Sequence, residues 1–316
     1  MALRNSIFAV SGNASFMDAR RDMSGLFICD KTTMLPIAGI LDRSQDTLVT
    51  GNSNSMSVTV HPFNAVLNRY GALLIQNDGD VKVPIAAAPS ANSRIDVVYV
   101  KQHETRPPMS DDSDFPVFGV RQGVAAAAPV APSVPAGALA LAQVRLPAGV
   151  SNTAASGVVI TQTYIGAALK GDMLRVQTSA QRDALTKVPD GTVLHNVADD
   201  CDYVRKNGKW RGWNMPWRDI HYDSHKVNMW ASGGTAYINL ATASVNLIGW
   251  GSNVVVGQVN NSGFYPAVSA DVYGPTRDAY FPTTVSVGTD GKVNVGYAGG
   301  TTGNRIVSTT VSYSIG

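Results

Sequence analysis

Apolar and polar residues alternate along most of the chain, in short runs that end at Gly, Pro, Asn or Asp. In "SMSVTVHPF" the alternation places Met56, Val58 and Val60 on one face of a strand. The run "RIDVVYV" (94–100) is apolar on both faces apart from Asp96, so it predicts a central strand covered on both sides. The pattern therefore predicts a chain built mainly of short β-strands.

Turn residues between apolar runs predict hairpins. Asn77-Asp78-Gly79 separates "GALLIQ" from "DVKVPI", Asn207-Gly208 separates "DYVRK" from "KWRGW", and Asp290-Gly291 separates two valine-rich runs. Asn-Gly and Asp-Gly favour the tight turns that join neighbouring antiparallel strands. Helix signals are few: we expect one short helix within "MDARRDMSGLFICD" and one over 178–188, capped by Thr178 or Ser179.

The segment "RQGVAAAAPVAPSVPAG" (121–137) has the composition of a linker. Its Pro129, Pro132 and Pro135 are three residues apart, however, which is one turn of a polyproline II helix and places them on one face. The alternating run "ALALAQVRLP" follows at once. We therefore expect an ordered arm inside the first domain, because proline also lowers the entropy lost on ordering.

These elements predict three domains. An N-terminal antiparallel β domain covers residues 1–165, a short helix and β-hairpin module covers 166–213, and a C-terminal domain covers 214–316. Short strands with turn signals between them make up the C-terminal domain, for which a β-sandwich is the expected architecture.

The composition restricts the kind of partner. The chain has 25 Lys and Arg against 23 Asp and Glu, so no basic excess indicates binding to nucleic acid. Glu104 is the single glutamate, which agrees with a chain poor in helix. No apolar run is long enough to cross a membrane and the first is too short for a signal peptide, so we expect no membrane insertion. Cys29 and Cys201 fit no metal-binding spacing and are interpreted as packing thiols.

Residues 37–165 resemble the N-terminal attachment domain of minor tail and baseplate receptor-binding proteins of tailed phages that infect Gram-positive bacteria. The resemblance is carried by "SMSVTVHPFNAVL", by "SRIDVVYV", and by "VFGVRQGVAAAAPVAPSVPAG" paired with "ALALAQVRLPAG". Phe63 stands where that family usually has a glycine. The unit from "SAQRDAL" to "KNGKW" is similar to a small hairpin module of phage fibre and tail proteins.

The resemblance implies a homotrimer in the virion, at the tail tip or baseplate, assembled in the host cytoplasm. Residues 1–165 would contact other tail-tip or baseplate proteins, and the C-terminal domain would bind a host receptor, which we expect to be a cell-surface glycan. No cofactor and no enzymatic activity are expected. Two alternatives stay open: a purely structural baseplate component or capsid-attached fibre, and a cell-wall glycan hydrolase or esterase.

The candidate receptor-binding residues lie in the Gly- and Pro-rich segment 263–284, which we expect to be looped. Flat aromatic faces stack on the C–H surfaces of sugars, and Arg adds forked hydrogen bonds. The residues of these types in the segment are Phe264, Tyr265, Tyr273, Arg277, Tyr280 and Phe281. The alternative is that these aromatic residues pack in the sandwich core or in the trimer interface.

His221, Asp223 and His225 are weaker candidates for a divalent metal site, because residues two apart lie on one face of a strand. The alternative is an exposed polar strand face. A glycosidase needs two paired carboxylates, and the C-terminal domain has no glutamate and no GxSxG motif. The sequence therefore favours binding over hydrolysis.

Overall fold

The computed structural model describes residues 15–41, 47–221, 226–247, 253–275, 282–297 and 303–315. Strands account for 49% of the structure and helices for 7%, so the prediction of a mainly β chain is confirmed. The chain divides into two compact units, the first comprising Met1–Gln177 with Lys187–Pro189 and the second Thr178–Thr186 with Asp190–Gly316. These limits differ from those of the three predicted domains, whose boundaries stay predictions.

The first unit opens with helix α1 (Phe16–Ser24), as predicted for this region. The Ser15 hydroxyl accepts from the Asp18 N–H, and the Asp18 carboxylate accepts from the Ser15 N–H, which together cap the helix. Six strands follow: β1 (Gly39–Ile40), β2 (Val49–Gly51), β3 (Ser57–Val60), β4 (Phe63–Asn68), β5 (Ala72–Asn77) and β6 (Val81–Pro84). They form two antiparallel sheets, in the orders β1-β4-β5 and β2-β3-β6.

The predicted hairpin around Asn77-Asp78-Gly79 is wrong. Strand β5 ends at Asn77 and pairs with β4, whereas β6 pairs with β3 in the other sheet. The turn therefore carries the chain from one sheet to the next. The tight hairpin is the one between β4 and β5, where Tyr70 and Gly71 have φ of 61° and 149°.

A four-stranded antiparallel sheet completes most of the first unit. Its strands are β7 (Arg94–Gln102), β8 (Pro116–Arg121), β9 (Leu139–Leu146) and β10 (Val159–Gln162). The order is β10-β9-β7-β8, so the predicted central position of β7 is confirmed. Within β7 the Arg94 Nε lies 3.0 Å from the Asp96 Oδ1, and both side chains are buried.

The alanine–proline arm (residues 122–137) lies within the first unit and has no regular secondary structure. Pro129, Pro132 and Pro135 are half-buried, whereas the residue that follows each of them is exposed. Exposure thus repeats every third residue, as expected for three prolines on one face of the arm.

The core of the first unit draws on strands of all three sheets. Val58 and Val60 of β3, Leu67 of β4, Val98 of β7 and Leu141 of β9 are all fully buried in one apolar cluster. Met56 packs against the same cluster, which confirms the apolar face predicted for "SMSVTV".

Strand β11 (Met173–Val176) ends the main part of the first unit, and helix α2 (Ser179–Ala184) begins the second. The Thr178 hydroxyl caps α2 by accepting from the Gln181 N–H at 3.2 Å, as predicted. The helix is shorter than the predicted 178–188. It ends because Leu185 takes φ of −77° and ψ of 61°, which is outside the helical range.

Six strands form the larger antiparallel sheet of the second unit, in the order β12-β13-β14-β15-β16-β21. They are β12 (Val193–Asn196), β13 (Cys201–Lys206), β14 (Lys209–Asp219), β15 (Val227–Ser232), β16 (Thr235–Leu247) and β21 (Gly303–Ser314). Asn207 and Gly208 join β13 to β14 with φ of 51° and 70°, which confirms the predicted tight turn. Val307, Val311 and Tyr313, which alternation places on one face of β21, are buried.

The smaller sheet of the second unit has the order β17-β20-β19-β18. Its strands are β17 (Asn253–Gln258), β18 (Ala270–Pro275), β19 (Pro282–Val287) and β20 (Lys292–Tyr297), and a 3-10 turn, Ser262–Phe264, precedes β18. The predicted hairpin at Asp290-Gly291 joins β19 to β20 and is confirmed. Cys29 in the first unit and Cys201 in the second are both buried free thiols, as predicted.

Candidate functional site

Phe264, one of the described members of the predicted aromatic cluster, does not lie in a loop with its ring exposed. Phe264 is 0% exposed and meets the Tyr203 ring edge to face, with the ring centroids 5.6 Å apart. Its carbonyl oxygen accepts from the Tyr313 hydroxyl at 2.9 Å. Phe264 is therefore a core residue, which is the alternative that the sequence left open. The prediction that it contacts a receptor is wrong, because no partner can reach its buried ring.

The remaining predicted receptor residues are only partly described. Tyr265 is half-buried, directly after the 3-10 turn. Tyr273 lies in β18 opposite Thr284 of β19, so this part of the segment is a strand pair and not the predicted loop. Arg277, Tyr280 and Phe281 lie outside the described residues. For these positions the receptor-binding role stays a prediction.

The candidate metal ligands are not brought together among the described residues. The His221 Nδ1 lies 2.5 Å from the Asp219 Oδ1, which is a contact that sequence reasoning missed. The hydrogen bond from His221 lowers the pKa of the Asp219 carboxyl. Asp223 and His225 lie outside the described residues. Within the described part of the chain, no three His, Cys, Asp or Glu side chains are grouped as metal ligands would be.

A row of aromatic side chains crosses one face of the larger sheet of the second unit. Met215 of β14 pairs with Ala231 of β15 and Arg218 pairs with Met229, so Pro216 and Trp217 together lie opposite Trp230 at a bulge. Because Arg218 lies opposite the buried Met229, alternation places Trp217 on the same face as Trp230. Trp230 in turn pairs with Tyr237 of β16. The row is therefore formed by Trp217, Trp230 and Tyr237 on three successive strands, and neighbouring strands are about 4.8 Å apart.

The rings of this aromatic row are open to solvent on one side. Trp217 is 62% exposed, and Trp230 and Tyr237 are half-buried. Trp230 and Tyr237 stack, with the ring centroids 5.3 Å apart and the planes 11° from parallel. Met229 and Ile238, the neighbours of these residues along the strands, are fully buried on the opposite face. Burial of one face in the core therefore fixes the aromatic rings on the other.

Small polar side chains surround the aromatic row. Strand alternation and register place Ser232, Thr235 and Asn239 on the same face, and Ser312 of β21 stands opposite Tyr237. In the paired region of β15, β16 and β21 described here, residues 227–232, 235–240 and 309–314, the sequence contains no Lys or Arg. Rings flanked by hydroxyl and amide groups can hold the apolar face of a neutral ligand while bonding to its hydroxyls.

The sequence carried a signal for the aromatic row that its analysis missed. "KWRGWNMPWRD" contains three tryptophans within one strand, and "NMWAS" and "TAYIN" each place one aromatic residue between two buried apolar residues. Alternation assigns such an aromatic residue to the face opposite the core. Which strands are neighbours decides that the rings form a row, and alternation alone does not give that order.

Comparison with known protein families finds no family model that matches the chain, and comparison with curated proteins finds no match. Among the described residues, no helix has the length and apolar character needed to span a membrane.

Proposed function

We propose that the chain is a virion protein of the tail tip or baseplate of a phage of Gram-positive bacteria, and that it binds a host cell-surface glycan. The observation that carries the proposal is the aromatic row of Trp217, Trp230 and Tyr237, which is open to solvent on one side and flanked by hydroxyl and amide groups. Pyranose rings present flat C–H faces that stack on such side chains. The resemblance of residues 37–165 to phage attachment domains supplies the biological context.

The proposed ligand is a neutral glycan. The segments 227–232, 235–240 and 309–314 beside Trp230 and Tyr237 carry Ser, Thr and Asn and no Lys or Arg. Arg218, next to Trp217 on β14, donates to the Asp199 carbonyl. Little positive charge is therefore available at the row to compensate a negatively charged polymer. Asp219 lies at the end of β14 and would repel an acidic sugar that reached it. The half-buried stack of Trp230 and Tyr237 is held by its strands, so a ligand would order few side chains on binding.

Multivalency is part of the proposal. Stacking on two or three rings gives a modest affinity for each chain, whereas a homotrimer would present three aromatic rows to one cell surface. Linked sites raise the overall affinity by orders of magnitude when they bind together. The C-terminal β-sandwich would present the rows, and residues 1–165 would contact the tail tip or baseplate.

The second candidate function is a structural baseplate or fibre protein without a receptor, and the same observation favours it. An exposed aromatic face also suits contact between protein chains, because large apolar patches on a surface commonly mark interfaces. In that case Trp217 and Trp230 would be covered by a neighbouring copy or by another tail protein. The two functions therefore predict opposite effects for the same substitutions.

The test is binding of the fluorescently labelled full-length protein to Gram-positive cells and to their extracted wall glycan. We expect saturable binding that free glycan competes away. Trp217→Ala and Trp230→Ala should each weaken it about tenfold or more, because aromatic anchors dominate binding energy. Trp213→Ala is the matched control, since Trp213 is 40% exposed on the same strand but lies outside the row.

Light scattering of the same variants separates the two candidate functions. If the aromatic row binds glycan, the oligomeric state stays unchanged while cell binding falls. If the row is a chain interface, Trp217→Ala and Trp230→Ala change the oligomeric state. A folded protein that binds neither cells nor glycan from any Gram-positive host tested would contradict receptor binding and support the structural role.

A further inference from the structure

The second unit contains a pocket with a volume of about 500 Å³, separate from the residues of the aromatic row. The hairpin of β13 and β14 supplies Tyr203, Arg205 and Trp210. Arg205 pairs directly with Trp210 across the two strands, so both side chains leave the same face of the hairpin. Helix α2 and the 3-10 turn supply further lining residues, among them Arg182 and Ser262.

Two residues that line the pocket each carry a buried donor without an acceptor. The Nε of Arg205 and the Nε1 of Trp210 are both buried, and neither has a hydrogen-bond partner among the described residues. Arg205 is only 6% exposed, and its guanidinium carbon lies 5.3 Å from the centroid of the Trp210 ring. Its Nη2 donates to the Thr186 carbonyl at 2.8 Å, which holds the side chain in place. Since nearly all buried polar groups are bonded, two unpaired donors side by side point to a missing acceptor.

The charges around the pocket favour an acceptor that is an anion. Asp183 is its only carboxylate among the described lining residues, and the Asp183 Oδ1 accepts from the Arg182 Nε at 2.9 Å. Asp199 also lies 3.8 Å from Arg182, so that guanidinium is compensated. No described carboxylate lies within 4 Å of the Arg205, Lys209 or Arg211 cation. The pocket therefore has an excess of positive charge.

The cationic side chains around the pocket lie on two different faces of the hairpin. All four residues line the pocket, but Arg205 and Trp210 share one face of the hairpin, whereas Lys209 and Arg211, on either side of Trp210, alternate to the other face of β14. Lys209 and Arg211 contribute to the field from the rim and do not converge on the two unpaired donors. A water molecule would satisfy one donor but would leave the charge of the buried Arg205 uncompensated.

We propose that this pocket binds an oxyanion, the phosphate or carboxylate group of a ligand, whose oxygens accept from the Arg205 Nε–H and the Trp210 Nε1–H. Charge-assisted hydrogen bonds to a guanidinium are short and strong, and an indole N–H can only donate. The pocket selects for negative charge, whereas the segments beside Trp230 and Tyr237 contain no Lys or Arg to do so. The inference stands on the pocket alone, so it can fail or hold independently of glycan binding at the row.

The test follows the indole N–H signals of the full-length protein labelled with ¹⁵N, at constant ionic strength. Trp210→Phe assigns the Trp210 signal by its loss. We expect that signal to shift saturably with inorganic phosphate or with acetate, and not with chloride or glucose. Comparison of phosphate with acetate shows which oxyanion the pocket prefers. No shift of the Trp210 signal with either anion, or an equal shift with chloride, would overturn the proposal.

Calorimetric titration with the preferred anion measures how much each side chain contributes to its affinity. Arg205→Lys keeps the charge but loses the Nε–H and should weaken binding about tenfold. Lys209→Gln removes a rim charge of the same sign and should change the affinity by no more than about threefold. If Arg205→Lys fails to fold, Trp210→Phe decides, since it removes one N–H while keeping most of the ring area. Full affinity in Trp210→Phe would overturn the assignment of the donors, whereas Trp217→Ala should leave anion binding unchanged.

Discussion

Trp230 and Tyr237 stand opposite each other on strands β15 and β16, with their rings stacked 5.3 Å apart at an angle of 11°. Aromatic pairs across neighbouring strands add about 0.5–1.5 kcal/mol beyond the area they bury. The pair lies on the solvent side of the sheet, where the two stacked rings form a flat and preformed surface. That surface is the centre of the aromatic row.

Removal of the Tyr237 ring should therefore lower both stability and glycan binding. We expect Tyr237→Ala to reduce the free energy of unfolding of the second unit by about 1 kcal/mol, because the stack is lost. Tyr237→Phe keeps the ring and should stay close to the parent protein. All five tryptophans lie after residue 209, so tryptophan fluorescence during urea unfolding reports on this unit. Equal stabilities of the two variants would contradict a stabilising stack.

Gly212 of β14 is required by the ring of Phe264. A Cβ atom added at Gly212 would lie 2.5 Å from two carbons of that ring, which is closer than non-bonded carbon atoms approach each other in proteins. We expect Gly212→Ala to cost about 1–3 kcal/mol in the unfolding of the second unit, because an overpacked core must shift. Gly79→Ala, which would meet nothing within 4 Å, is the control and should be nearly neutral.

A second substitution tests the cause of that loss. Phe264→Leu in the Gly212→Ala protein removes the ring that the new methyl group meets, so it should recover part of the stability. If the double variant is less stable by the sum of the two single losses, the clash is not the reason for the glycine.

Local patterns predicted the strands well, but they predicted only some of the strand pairings. The Asn207-Gly208 hairpin and the central position of β7 follow from turn chemistry and from burial on both faces, and both are confirmed. Asn77-Asp78-Gly79 carries an equally strong turn signal, yet its flanking strands belong to different sheets. A turn signal fixes where the chain reverses, and the pairing depends on distant strands that cover each apolar face.

The same limit applies to the candidate site. The high density of aromatic residues near Phe264 predicted a receptor contact there, but the fold buries Phe264 against Tyr203. The rings that reach solvent are separated in the sequence and come together through the order of β14, β15 and β16. Alternation could have assigned Trp230 and Tyr237 to the polar face, because their neighbours are apolar and buried. Pro216 marks the bulge in the sequence, because proline within a strand is tolerated at bulges, but it does not show which ring the bulge adds to the row.

Asp96 connects the central strand of the first unit to the alanine–proline arm. It is 0% exposed, pairs with Arg94, and accepts from the Gly123 N–H at 2.9 Å at the start of the arm. Asp96→Asn removes the charge that compensates the buried Arg94, so we expect a loss of about 3–5 kcal/mol in this unit. Since every tryptophan lies in the other unit, far-UV circular dichroism should follow this unfolding.

The arm itself supplies a second measurement for the Asp96→Asn variant. Its amides from Gly123 to Ala128 should exchange with solvent faster than in the parent protein, because the anchoring hydrogen bond is weakened. Asp80→Asn is the control, as Asp80 is exposed and pairs only with His61 among the described residues. Unchanged exchange in a destabilised Asp96→Asn protein would show that the hydrogen bond to Asp96 does not hold the arm.

Asp111 should make the first unit sensitive to acid. Burial acts to raise its pKa, but hydrogen bonds from Lys101, the Glu104 N–H and Arg69 outweigh burial and lower the pKa to about 2. The Lys101 Nζ lies 2.5 Å from the Asp111 Oδ1, and Arg69 contacts the other oxygen. Because the pKa is lower in the folded state, the unfolded chain binds the proton more tightly. The stability from this carboxylate is present above about pH 4 and is lost as the pH falls towards 2.

The depressed pKa of Asp111 corresponds to about 2 kcal/mol of stability at neutral pH. Asp111→Asn should therefore be less stable than the parent protein at pH 7, and the difference should shrink between pH 4 and pH 2. Urea unfolding followed by circular dichroism at several pH values measures that difference directly. Asp112→Asn is the matched control, because the neighbouring Asp112 side chain is 87% exposed and its loss should matter little at any pH. A stability difference for Asp111→Asn that stays constant down to pH 2 would contradict the depressed pKa and leave only the lost hydrogen bonds to explain it.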